Sequence, residues 1–476
     1  MVCVESETRS SALSRVIDRL KADFGDRADT GLALREQHGR GESHHGTLAP
    51  DIVVFPNSTA EVASIVRICA DDGIPIVPFG AGTSLEGNVS AVYGGVTIDL
   101  SRMTRIIRVG TEDLDCTVEA GGTRQQLNSY LRDKGLFFPI DPGGEATIGG
   151  MAATRASGTN AVRYGTMREA VLSLTVVIAT GKIIRTAQRA RKSSAGYDLT
   201  RLFVGSEGTL GVITEVTIRL HGIPEAVDVA VVTFGDLKSA IDTTVALIQS
   251  GVPVARVELL DDAQMKAINA YAKTDHPVRP TLFLEFHGGS QSVVEQRETA
   301  MALADEFGAK SFRTADNAEE CTALWRARHQ AFYATVALRP NSKGWSSDVC
   351  VPISRLSECI SATKEMLSES LIPATIVGHV GDGNFHVIFN VMTEDSTEMQ
   401  EVSRINAKII KLAISLEGTC TGEHGVGTGK IAYMEAEHGD ALDIMSALKA
   451  ALDPKNIFNP GKIIPPERLV KSYATI

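Results

Sequence analysis

The chain has 476 residues, 43% of them hydrophobic and 22% charged, with a formal net charge of −11. That length exceeds what one core supports and predicts two or three packed units, while the acidic balance excludes a nucleic-acid footprint and a strongly basic membrane-facing surface. The composition is ordinary for a globular protein, which excludes a disordered or fibrous chain, and no apolar run approaches the roughly 20 residues needed to cross a bilayer.

In chain order, the first segment (MVCVESETRSSALSRVIDRLKADFGDR) carries acidic residues early and lacks the apolar stretch of a secretory signal. It predicts an amphipathic helix. From about residue 50 to 221 glycine is dense, and short β-prone runs (DIVVFP, IPIVPFG, GVTIDL, DCTVEAG, LTVVIAT) accompany the helical pattern TAEVASIVRICADDG. The character changes near residue 222. From Pro224 the pattern runs strand (AVDVAVVTF), helix (DLKSAIDTTVALIQSG), strand (VARVELLD), helix, strand (RPTLFLEFHG), helix (QSVVEQRETAMALADEFG), which predicts an antiparallel sheet covered by helices on one side. From about Glu417 Gly-rich loops return, followed by a helix (GDALDIMSALKAALDP) and NPGKIIPP, a tail expected to pack on the first domain. The fold class is α+β, in segments 1–222 (core about 50–221), 223–416 and 417–476.

Seven cysteines (Cys3, Cys69, Cys116, Cys321, Cys350, Cys359, Cys420) are dispersed without a CxxC spacing. This argues against a disulfide framework, an iron–sulfur cluster or a thiolate zinc site, and predicts a reducing, cytoplasmic location.

Two C-terminal segments carry chemistry, GHVGDGNFHVIFNV and CTGEHGVGTGK. β-prone residues flank Asp382-Gly383, a dipeptide that favours a two-residue type I′ hairpin turn and would set His379 directly opposite His386. Cross-strand Cβ atoms lie roughly 4.5–5.5 Å apart, close enough for two imidazoles to share a divalent ion, zinc or manganese. Glu423 would be the third ligand, with His424 beside it as a base and coordination positions open for substrate. The plainer alternative is a pair of histidines capping a surface hairpin; the GEHGVG segment in the same chain favours the metal.

A further signal is PFGAGTSLEGN, which directly follows the strand-like IPIV. Gly80 and Gly82 would let successive N–H groups form a nest for an anionic phosphate without a cationic side chain. Leu85 stands where a dinucleotide motif has its third glycine, and GVGTGKI lacks the spacing of a P-loop. A tight strand-to-helix turn explains this segment alone equally well.

Company changes that reading. With DPGGEATIGGMAATRASGTNAVRYGTMREAV and LFVGSEGTLGVITEVTIRL following, the chain resembles the vanillyl-alcohol oxidase-type flavoproteins, whose FAD lies between two small α+β subdomains, from about Asp51 to the C-terminus. Within them, GHVGDGNFH with TCTGEHGVGTGK is similar to the FAD-dependent D-2-hydroxyacid dehydrogenases. LWRARHQAFYATVALRP followed by DVCVPISRL resembles their cytochrome- or quinone-reducing D-lactate branch. The resemblance implies that Pro78, Gly80, Ala81, Gly82, Thr83 and Ser84 cradle the FAD pyrophosphate. It implies that Asp141, Pro142, Thr147, Gly149, Gly150, Ser157, Gly158 and Tyr164 line the ribityl and flavin region. Glu207, Gly208 and Ile213 would complete the adenine and pyrophosphate side, and Asn459 would approach the flavin from the tail. Attachment of FAD would be non-covalent, because the loop ends in Thr83 and Ser84 rather than His or Cys.

The implied reaction is oxidation of a small D-2-hydroxyacid, foremost D-lactate to pyruvate. His379, His386 and Glu423 would hold the divalent ion, His424 would take the hydroxyl proton, and Arg328 would grip the carboxylate while hydride passes to flavin N5. The electron acceptor would be a quinone, a cytochrome or an electron-transfer flavoprotein; peripheral membrane attachment and a homodimer stay open. D-2-hydroxyglutarate or glycolate oxidation is the alternative within the family, and a flavin-free metallohydrolase the alternative outside it. Relatives that oxidise hydroxyglutarate carry a lysine where this chain has Gly344-Trp345-Ser346-Ser347-Asp348, so Ser346 or its neighbour replaces the cation for a second carboxylate. Trp345 and Phe332 would line a compact apolar pocket, and Arg339 and Lys343 are the nearby cations that would oppose that reading.

Overall fold

The computed structural model describes residues 2–315 and 317–469, without the side chains of residues 2–8 and 318, so the Cys3 thiol lies outside the described residues. It divides into two compact units. The first comprises the described parts of Met1–Ala156, Thr166–Gly222 and Glu423–Ile476, the second Ser157–Gly165 and Ile223–Gly422. The boundary at Gly222/Ile223 coincides with the composition-based one, and the others differ. Ser157–Gly165 clusters with the second unit, and that unit continues to Gly422.

In the first unit the helix Thr59–Asp72 shows how local signals set an element. Ser58 caps its start by accepting from Glu61 N, Gly73 ends it in a left-handed conformation, and Val62, Ile65, Val66 and Cys69 form one buried stripe. That stripe packs with Val16 and Leu20 of the N-terminal helix Val2–Phe24 and with Ile52, Ile76 and Ile98 of a four-stranded sheet. Each fully buried Val, Ile or Leu contributes about 1.5–3 kcal/mol. The strands Ile52–Val54 and Ile76–Phe79 flank Val96–Asp99 in parallel. The C-terminal segment closes onto this sheet: Ile76 N donates to Ile457 O and Asn459 N to Ile76 O, both at 2.7 Å. A second, five-stranded antiparallel sheet runs in the order Ile106–Gly110, Asp115–Glu119, Val212–Arg219, Val171–Val177, Ile183–Arg185.

The second unit is built on one antiparallel sheet. Its order is Ser311–Thr314, Ala226–Thr233, Thr281–Gly288, Val254–Leu260, Ala374–Gly378, Asn384–Val391, Lys343–Ser346, with Val349–Cys350 also pairing to Asn384–Val391. Helices were expected on one side only, yet Asn384–Val391 is buried at every position and Thr281–Gly288 at all but its last. The runs LFLEF, interrupted only by the ion-paired Glu285, and VIF are the signature of strands covered on both faces rather than one.

The hairpin register also differs from expectation. Val377, not His379, stands opposite His386, and Val380–Asp382 forms a 3₁₀ turn closed by Gly383 at φ 82°. A type I′ turn needs positive φ at both central residues, and only Gly383 has it. Since side chains alternate with period two, this two-residue offset leaves both histidines on one side of the sheet.

Candidate functional site

The first unit presents the glycine loop. After the strand Ile76–Phe79, none of the N–H groups from Gly80 to Ser84 donates to another described residue. The Ser84 and Ser206 hydroxyls are buried and unpartnered. A Cβ on Gly80 would collide with Thr147 Oγ1, the atom that caps the helix Ile148–Thr154 by accepting from Gly150 N at 3.2 Å. Undonated amides, orphaned hydroxyls and a cradle that a single methyl would fill are what a pyrophosphate-bearing cofactor requires. FAD fits these residues. Asp141 is buried and Pro142 half-buried, in the segment leading to that helix.

Other residues expected at the cofactor also have structural roles within the unit. Both carboxylate oxygens of Glu207 are occupied, by Val426 N at 2.7 Å and by Gly427 N and Asn88 Nδ2 at 2.8 and 2.6 Å. Burial still raises that carboxyl above its ordinary range. The Asn459 amide donates to Asn88 O and Glu207 O, so it ties the tail to the loop instead of reaching outward. Ile213 packs inside the core of the five-stranded sheet, and Gly208 lies against Pro78. These roles share a cause: motif residues near a cofactor loop are needed as much to hold the loop as to touch the ligand.

His424 sits beside a carboxylate that sequence reasoning missed. Glu86 Oε1 is 3.8 Å from His424 Nδ1 and 3.7 Å from the buried Lys430 Nζ, and Glu86 Oε2 is 3.8 Å from His45 Nε2. Burial alone would push the Glu86 carboxyl up; Lys430, His424 and His45 outweigh it and hold it at about 2. Glu423 lies 3.9 Å from the other ring nitrogen of His424. The sequence carried no signal for this pair, since neither the burial of Glu86 nor its neighbours can be read from the loop.

The second unit holds the two histidines. The rings of His379 and His386 stand edge to face with centroids 5.5 Å apart, and each offers a nitrogen within 4.8 Å of the other's. His379 Nδ1 is 2.7 Å from Glu258 Oε1, and His386 Nδ1 is 3.1 Å from Ser347 O and 3.7 Å from Asp348. With both Nδ1 atoms directed at oxygen acceptors, Nε2 is the nitrogen each ring would present to a cation, the usual order around zinc or manganese. Arg328, on the helix Ala318–His329, is buried rather than solvated, its Nε and Nη2 directed at Glu258 Oε2 at 2.8 and 2.5 Å. Arg328 and His379 outweigh burial and hold the Glu258 carboxyl below its ordinary range. A grip by Arg328 on another carboxylate would therefore use its Nη1–Nη2 edge.

Tyr164 belongs to a second polar chain on this sheet. Its hydroxyl is 2.7 Å from His287 Nδ1, His287 Nε2 is 2.8 Å from Glu285, and Glu285 pairs with Arg256, which stacks on Trp325. Ser157 and Gly158 precede Tyr164 in the same segment. Pairing then sorts the expected pocket residues. Ser346 stands opposite Ile388 on the face of His386, whereas Trp345 stands opposite Phe389 on the other face, which removes Trp345 from a pocket at His386. Phe332 packs against the hydrophobic cluster that includes Ile388 and Val377. Arg339 is bound by Glu398 at 2.8 and 3.2 Å.

Residues 50–187 match the FAD binding domain family, and residues 223–463 match the family described as FAD linked oxidases, C-terminal domain. The chain is 50% identical, over 96% of its length and 93% of the relative's, to the probable D-lactate dehydrogenase, mitochondrial, of Danio rerio. It is 47% identical to the D-lactate dehydrogenase (cytochrome), mitochondrial, of Arabidopsis thaliana, over 95% of this chain and 80% of that one. The glycolate oxidase subunit GlcD of Bacillus subtilis is 37% identical over 87% of this chain and 89% of its own. Among solved structures, 4-ethylphenol oxidase from Gulosibacter chungangensis superposes with a TM-score of 0.78 at 17% identity, over 96% and 98% of the two chains, a likeness of fold. The names overturn the cytoplasmic expectation, since the Danio and Arabidopsis relatives are both mitochondrial. Dispersed thiols report a reducing surrounding, which more than one compartment provides. Among the described residues no helix is long and apolar enough to cross a membrane.

Proposed function

Because the chain belongs to the D-lactate dehydrogenase family of FAD linked oxidases, we propose that it oxidises D-lactate to pyruvate and passes the electrons to an acceptor other than oxygen, a cytochrome, a quinone or an electron-transfer flavoprotein. The observation that carries this reading is the histidine pair, each Nδ1 directed at an oxygen acceptor, with the buried Arg328 on the same carboxylate as His379. His379, His386 and Glu423 would hold a divalent ion, and Gly80 to Ser84 with Thr147 would hold FAD non-covalently. When bound, FAD supplies a two-electron acceptor and the ion supplies Lewis acidity at the substrate hydroxyl.

His424 takes the hydroxyl proton, a role worth roughly 10² to 10⁴ in rate. Glu86, ionised at any working pH because its carboxyl is held at about 2, stabilises the imidazolium that results. Arg328 orients the substrate carboxylate and so fixes C2. Ser346 leaves no cation for a second carboxylate, and Arg339 is engaged by Glu398; burying an unpaired carboxylate costs several kcal/mol. D-lactate and short monocarboxylic D-2-hydroxyacids are therefore preferred over D-2-hydroxyglutarate. Glycolate is the second reading, favoured by the GlcD relative.

The test is a panel of D- and L-2-hydroxyacids with a dye acceptor, run before and after chelation. Turnover of D-lactate that a chelator abolishes and Mn²⁺ or Zn²⁺ restores is the expected result. Full activity in a metal-free preparation overturns the metal, and an efficiency for D-2-hydroxyglutarate equal to that for D-lactate overturns the pocket.

A further inference from the structure

Glu258 is an acidic residue in the middle of a strand that is otherwise largely apolar, and its side chain is fully buried. Ionised carboxylates are kept in such places only when their lone pairs are met by cations or strong donors. Here one oxygen faces Nε and Nη2 of Arg328, at 2.8 and 2.5 Å, and the other faces Nδ1 of His379 at 2.7 Å. Neutralising Arg328 would by itself explain the first contact. It does not explain the second, because the guanidinium already balances the charge.

We propose that Glu258 is the positioning residue of the site, fixing His379 in the tautomer that carries its proton on Nδ1 and presents Nε2 to a divalent cation, while holding the guanidinium of Arg328 by its Nε–Nη2 edge. One buried carboxylate thus sets a metal ligand and the substrate clamp together. The inference rests on the reading of His379 as ligand and Arg328 as clamp given above. A parallel contact supports it: His386 Nδ1 faces the Ser347 carbonyl, so both rings of the pair are oriented through the same nitrogen by different acceptors. A carboxylate behind a ligating histidine fixes the ring's tautomer and raises its basicity. Arg328 and His379 lie 70 and 121 positions from Glu258 in the chain, so the arrangement depends on the sheet and not on any local motif.

Glu258→Gln separates the possibilities. An amide keeps the size of the carboxylate but offers a single acceptor oxygen, and its NH₂ meets a donor on either Arg328 or His379 whichever way it turns. In the full-length, FAD-loaded protein stripped of metal and titrated with Mn²⁺, the variant should bind Mn²⁺ about 10- to 100-fold more weakly than the unaltered chain. KM for D-lactate should rise in the same variant. Unchanged Mn²⁺ affinity in a folded Glu258→Gln protein overturns the proposal.

Should that variant not fold, the unaltered chain decides by ¹⁵N chemical shifts of selectively labelled histidine in the metal-free protein. A protonated Nδ1 with a lone pair on Nε2 of His379 is expected; a protonated Nε2 overturns the assignment. An unaltered chain that binds neither Mn²⁺ nor Zn²⁺ removes the metal reading itself, while the tautomer measurement still reports on Glu258 separately.

Discussion

At the scale of single residues, the site depends on carboxylates that are buried and paired. His424 and Glu86 form one such pair, and they make different predictions. His424→Ala should retain bound metal and lose roughly 10²- to 10⁴-fold in turnover; metal analysis beside kcat checks it, and loss of metal would make His424 a ligand instead of a base. Glu86 has a folded-state pKa depressed from 4.5 to about 2. A depressed carboxyl adds stability that is fully present above its unfolded value and is lost as pH falls through the folded one. The contribution should therefore persist at pH 5–8 and fade between about 4.5 and 2. Its neighbours Lys430, His424 and His45 stand 3.7 to 3.8 Å away, and the ammonium of Lys430 is the largest of the influences that lower it. We expect Glu86→Gln to lose on the order of 2 kcal/mol at neutral pH, with the two unfolding curves converging as the solution is acidified. A difference that grows toward low pH would contradict the assignment.

At the scale of elements, the turn between the two histidine-bearing segments is the sensitive joint. Gly383 has φ 82°, and a Cβ there would collide with the Val351 carbonyl. Gly383→Ala should therefore cost about 1–3 kcal/mol through backbone strain. It should also weaken metal binding, since the 3₁₀ turn sets His379 against His386 across the hairpin. Chemical denaturation and metal titration of the same variant check the two effects together. The element scale is also where expectation and structure part. Asp382-Gly383 correctly marks a turn, yet its type follows from the chain around it, because only one of the two residues takes positive φ. The two-residue shift in register leaves the histidines together, for strand parity tolerates a slip of two residues and not of one, while a separate pairing, Trp345 opposite Phe389, puts Trp345 on the other face.

At the scale of the whole chain, each unit has its own core, and the first is discontinuous, completed by a C-terminal segment hydrogen-bonded to Ile76. FAD held as proposed, by backbone amides and hydroxyls with no His or Cys in the loop, would be a ligand in equilibrium. Acid precipitation should release all yellow chromophore to the supernatant, and added FAD at 100 times its Kd should stabilise the folded chain by about 2.7 kcal/mol. Colour retained in the pellet would show a covalent link.

The sequence alone determined the α+β class, the FAD-binding character and the family, and it placed His379 and His386 on either side of one turn, though not in the register they adopt. These are legible because they rest on local rules: glycine where backbones or phosphates come close, alternation in strands, and a turn dipeptide between two histidines. The tertiary structure decided the rest. Glu207 and Asn459 became internal braces and Ile213 a core residue, because a motif records that a residue is needed without recording what it touches. Glu86 and Glu258 were silent in the sequence, since a buried carboxylate acquires its meaning only from the cations and imidazoles that the fold brings to it from distant parts of the chain.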